Sequence, residues 1–148
     1  MTRSKRMQPV VNVTANRERE AAQRLGECQQ RAQAAEQRLE ELVHYREEYT
    51  QQFATGGSLN TVRLQDYRLF LDRLNQAVDQ QRHQVALAHQ ECAGLRQRWM
   101  TFHTRAQALD KVVERYRGEE RNDQDKREQK ETDQHALMLR EHKKLRDE

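Results

Sequence analysis

The residues of this sequence whose type and spacing could do chemistry are six histidines, two cysteines and a glycine pair. His44, His83, His89, His103, His135 and His142 are scattered, without metal-ligand spacing and without a cysteine pair beside them, so no metal site is expected. Cys28 and Cys92 fall on apolar seam positions, where a free thiol acts as a small hydrophobe. A structural disulfide is not expected between them in a reducing compartment. Gly56-Gly57 is followed by Ser58-Leu59-Asn60, not by the Gly-Lys-Ser/Thr of a phosphate loop, and no Gly-x-Ser-x-Gly elbow occurs. Two packed helices offer no enclosed cavity in which paired carboxylates could shift their pKa. No catalytic residue, cofactor or enzyme activity is therefore expected, and function must lie on surfaces.

The elements that carry those surfaces are legible from periodicity. Steps of three and four from Leu64 pass through Tyr67, Leu71, Leu74, Val78, Gln81, Val85, Ala88, Cys92, Leu95, Trp99, Phe102, Ala106, Leu109, Val113 and Tyr116. Such a stripe repeats every 3.5 residues and favours a left-handed coiled coil. A second stripe runs through Leu25, Cys28, Ala32, Ala35, Leu39, Leu42, Arg46, Tyr49 and Phe53. The predicted fold is all-α, a long two-helix antiparallel coiled-coil hairpin with frayed or disordered ends, forming one domain over residues 1–148. Helix one is expected over about 14–54, capped by Thr14 or Asn16, with a loop at 55–60. Thr61 is the expected cap of helix two, which runs to about 118 before a charged tail at about 119–148.

Folding about the glycine pair places residue i opposite roughly 115 − i. Leu109, Val113 and Tyr116 then lack an intramolecular partner, and an uncovered apolar stripe marks an interaction surface. The alternative is that residues 1–13 add helical turns or fold back over it. Off the seam, Tyr45 lies in a row with Leu42 and Tyr49, while Phe70 and Ala77 flank Leu74. Flanking aromatics are either binding anchors or a widened core stripe.

Charged residues make up 34% of the chain, yet net charge is only +3 and the signs are interspersed, which is a solvated coiled-coil surface and no nucleic-acid groove. No apolar run nears the roughly 20 residues of a membrane span, so no direct membrane insertion is expected and the protein is expected to be cytoplasmic.

Glu36-Gln37-Arg38-Leu39-Glu40-Glu41-Leu42-Val43-His44-Tyr45-Arg46-Glu47-Glu48-Tyr49 resembles the L-x-x-L-x-x-Y-x-x-x-Y signature of the FliJ family. The segment from Asp66 to Val78 is similar to its Y-x-x-F-x-x-x-L-x-x-A segment, and the resemblance spans roughly residues 17–134. It implies a central-stalk-like coiled coil of the flagellar type III export apparatus, peripherally associated with the inner membrane. Implied partners are the flagellar export ATPase ring, the cytoplasmic domain of the membrane export gate, and export chaperones. The implied gate-docking face comprises Leu42, Tyr45, Tyr49, Phe70, Leu74 and Ala77. Leu109, Val113 and Tyr116 are the expected contact with the ATPase ring. Alternatives are the equivalent stalk protein of an injectisome, and a generic homodimeric structural coiled coil in which those three residues bury against a second copy.

Overall fold

The computed structural model describes residues 1–57 and 60–147. Two helices occupy nearly all of them, α1 at Arg3–Thr55 and α2 at Thr61–Asp147, and they pack antiparallel as a hairpin. Part of the expected loop, Ser58 and Leu59, lies outside the described residues.

Helix α1 starts eleven residues earlier than the expected Thr14. Thr2 is its cap: its side-chain oxygen accepts from the Lys5 N–H at 3.4 Å and its carbonyl from the Arg6 N–H at 3.1 Å. Thr14 sits mid-helix, and its hydroxyl donates back to the Val10 carbonyl at 2.9 Å, a local bond that needs no cap geometry. Pro9 lies inside α1, where its missing N–H removes one backbone hydrogen bond without ending the helix. The seam explains the extension. Continued backwards by threes and fours it meets Ala21, Glu18, Thr14, Val11, Met7 and Ser4, each buried or half-buried. Three of the six are polar, which hides the pattern from an apolar count.

The charged segment after Gly118 is helical as well. From Arg121 to Asp147 every residue is exposed, so local bonds such as Gln124 to Glu128 at 3.3 Å support it, with Lys144 and Arg146 favourably placed against the carboxyl end. At the turn, Gly57 has φ of +26°, in the left-handed region that favours glycine. A Cβ on Gly56 would lie 2.9 Å from the Gln52 carbonyl oxygen. The cap of α2 is Asn60 and not Thr61: Asn60 Oδ1 accepts from the Arg63 N–H at 2.7 Å and its carbonyl from the Leu64 N–H at 3.1 Å.

The packing divides into two compact units, Glu18–Phe102 and Met1–Arg17 with the residues from His103 onward. In the first, Phe53 stacks on Tyr67 with centroids 3.7 Å apart, and Cys28 and Cys92 share one buried cluster. Both pairs add to 120, so residue i faces 120 − i, more than one helical turn from the register obtained by folding at the glycines. The reason is geometric. A partner at 120 − i carries every seam residue of α1 onto a seam residue of α2, whereas 115 − i would set Phe53 against the exposed Val62.

Where the seam residues are small, the helices approach closely. Cys28, Ala32 and Cys92 form a buried cluster with Ala88 and Leu95 against it, and the Cys28 thiol donates to the Ala88 carbonyl at 3.8 Å. Two polar seam residues nearer the turn are satisfied. Gln81 Nε2 donates to the Ala35 carbonyl at 2.9 Å, and Arg46 reaches Asn75 Oδ1 at 3.1 Å. Such polar seam contacts favour one register over its neighbours.

Candidate functional site

The flank residues singled out from sequence converge on one side of the first unit, but not equally. Tyr45 is 49% exposed and meets Phe70 edge-on, with centroids 6.2 Å apart at 77°. Tyr49 packs on Phe70 at 4.5 Å and on Tyr67 at 5.4 Å, so the half-buried rings form a continuous cluster spanning both helices. Offset and edge contacts of this kind fix ring orientation, and a rigid aromatic loses little entropy on binding. Beside the cluster, Leu42 and Ala77 line an open groove of about 300 Å³ together with Arg38, Gln81 and His83. Leu74 departs from the expected face: at 8% exposure it belongs to the core, because it lies on the seam and not on the flank.

Arg38 and Gln81 stand where the family resemblance expects a Gln and a His on this face, and both line its groove. Their spacing agrees, since Arg38 is four residues before Leu42 and Gln81 four after Ala77, the interval that stacks side chains along one helix face. Leu69, 54% exposed, is a further apolar residue near the aromatic cluster.

The second expected surface differs more. Leu109, Val113 and Tyr116 were expected to lie uncovered, yet Val113 is 6% exposed and the other two are half-buried. The first turns of α1 cover them. Ser4 donates its N–H to Glu120 Oε1 at 3.0 Å and its hydroxyl to Glu120 Oε2 at 2.7 Å, and the Arg3 guanidinium stands 5.7 Å from the Tyr116 ring centroid. The alternative reading, in which residues 1–13 extend the helix over the stripe, is the one the structure adopts.

Glu120 thereby receives donors at the amino end of α1, where the helix dipole favours an anion. The Ser4 backbone and hydroxyl bonds hold its carboxyl below the ordinary value, with Arg117 contributing. In the first unit, burial and the Cys28 thiol push Cys92 up to about 11, away from the thiolate that metal binding or nucleophilic attack requires. Among the described residues no group of three or more His, Cys, Asp or Glu side chains is placed to hold a metal ion, and no helix is long and apolar enough to cross a membrane.

Paired antiparallel helices with a packed seam, open grooves and an exposed aromatic flank define a two-helix coiled-coil protein. The family model described as Flagellar FliJ protein matches residues 3–145, and the chain belongs to the FliJ family. It is accordingly a flagellar export-related protein. No match was found among curated proteins or among solved structures.

Proposed function

We propose that this protein is a non-enzymatic, central-stalk-like coupling element of flagellar export. Its aromatic flank docks on the cytoplasmic domain of the membrane export gate, and its other unit meets the export ATPase ring. Ring changes driven by nucleotide then reach the gate through contacts made by one continuous pair of helices. Its association with the inner membrane is peripheral, through these partners, and export chaperones bind the same apparatus component.

The observation that carries the reading is the half-exposed cluster of Tyr45, Tyr49 and Phe70 beside the Leu42–Ala77 groove. Aromatic anchors next to a shallow pocket are the usual makings of a binding hot spot. A homodimer through Val113 and its neighbours would require the first turns of α1 to leave that stripe, which they cover.

The test is a titration of the purified protein with the gate's cytoplasmic domain and, separately, with the export ATPase. The Tyr45→Ala/Phe70→Ala pair should bind the gate domain at least tenfold more weakly while retaining helical circular dichroism and ATPase binding. Gate binding equal to wild type in that variant would remove the assignment.

A further inference from the structure

We propose that the first turns of α1 are a detachable cover, latched by Glu120, over the surface that meets the ATPase; the partner named here rests on the reading above. Three observations in this unit converge. The cover is thinly packed: of its seam residues only Met7 and Val11 are apolar, Ser4 and Thr14 are polar, and Val10 and Val13 point into solvent. It contains Pro9, so its own ladder lacks a hydrogen bond just inside its second turn. Its end is held by the Glu120 carboxylate, which accepts both hydrogen bonds from Ser4, with the Arg3 guanidinium 5.7 Å from the Tyr116 ring centroid as its other contact.

What lies beneath is more apolar than what lies above. Leu109, Val113 and Tyr116 continue the stripe of α2 without interruption, so loss of the cover leaves a contiguous apolar face. Segments with few buried apolar contacts open at far lower free energy than the core. An incoming helix with apolar residues at steps of three and four would replace Met7 and Val11, and its amino end would take the Glu120 carboxylate from Ser4. The face is then available only to a partner able to compete with the cover. That makes docking conditional and shields an adhesive stripe when no partner is present.

Two measurements test this. Hydrogen exchange of the amides of residues 5–13 is compared in wild type, Glu120→Ala and the remote control Glu131→Ala. Exchange should be at least tenfold faster in Glu120→Ala alone, with residues 28–53 unchanged. Equal exchange in all three proteins would overturn the latch. For the cover, Ser4→Cys and Glu120→Cys, whose side chains meet across the latch and leave Leu109, Val113 and Tyr116 intact, are introduced into a Cys28→Ala/Cys92→Ala background. The oxidised, locked form should bind the export ATPase at least tenfold more weakly than the same protein reduced. Equal binding by both forms would show that opening is not needed, and the proposal would fall while the coupling reading stood. A reduced form that does not bind the ATPase would instead sink the docking reading, and with it the partner named here.

Discussion

Tyr45 and Leu74 stand at nearly the same level in the 120 − i register and were both expected on one docking face, yet their burial predicts opposite phenotypes. Leu74 is 8% exposed, so Leu74→Ala removes a side chain held almost wholly out of water and leaves a cavity in the seam. Leucine-to-alanine changes of that kind cost about 2–5 kcal/mol, and a two-helix interface with water close by places this one near 2–3. Tyr45 keeps about half its surface in solvent, 49%, so truncation forfeits only part of the burial energy plus its edge contact with Phe70. That amounts to roughly 1–2 kcal/mol. For gate binding the order reverses. An exposed aromatic anchor of hot-spot class is worth about 2 kcal/mol or more, roughly thirtyfold in Kd, whereas a seam leucine contributes nothing directly. Urea unfolding followed by circular dichroism gives the stability order, and calorimetric titration with the gate domain, at a temperature where both variants are folded, gives the binding order. Leu74→Ala should be the less stable and bind normally, and Tyr45→Ala the reverse. A folded Leu74→Ala protein that bound the gate worse than Tyr45→Ala would refute the assignment of the flank, and not the seam, as the docking face.

The remaining predictions concern the turn and the thiols. Asn60→Ala should destabilise the hairpin by about 1 kcal/mol in urea unfolding, and Thr61→Ala by much less, because Asn60 supplies the cap oxygen. Gly56→Ala should cost more than a surface substitution, since its Cβ would meet the Gln52 carbonyl oxygen at 2.9 Å, and the same titration measures it. The Cys92 thiol is raised from 9.0 to about 11 in the folded protein, so the stability it contributes is fully present below pH 9 and is lost as pH rises toward 11. Alkaline unfolding midpoints in wild type and Cys92→Ala should converge over that window, and iodoacetamide should label Cys28 and Cys92 at pH 8 only after urea is added.

Much of the fold was readable because coiled coils write their packing into spacing. Every residue from Leu64 to Tyr116 on the expected stripe is buried or half-buried, and the glycine stop falls where α1 ends. The beginning of α1 was not readable by apolar content, since Ser4, Thr14 and Glu18 occupy seam positions. Their placement is a matter of geometry: a helix whose later turns are committed to the seam carries its earlier turns along the same face. The register was readable in principle. Aligning the two stripes, and not the midpoint of the turn, yields 120 − i directly. The candidate face was half legible. Flank positions such as Tyr45 and Phe70 were distinguishable by spacing, but Leu74 shows that membership of the seam outranks neighbourhood to the flank. The Glu120–Ser4 latch left no trace in periodicity, because it joins a charged residue to a polar one across more than a hundred positions.

The constant relation between i and 120 − i also governs how such a chain can change length. A single inserted residue in either helix turns everything beyond it by about 100° and takes the seam off its partner. Seven residues added to one helix alone keep the stripe but slide every layer past its mate, separating Gln81 from the Ala35 carbonyl and Cys28 from Cys92. Only matched seven-residue blocks, one in each helix at mirrored points, preserve both stripe and pairing. Diversity in length among chains built this way should therefore be quantised and symmetric about the turn. The solvent-exposed helical stretch over residues 121–147, which has no mate in α1, is free of that constraint and can vary by any number of residues.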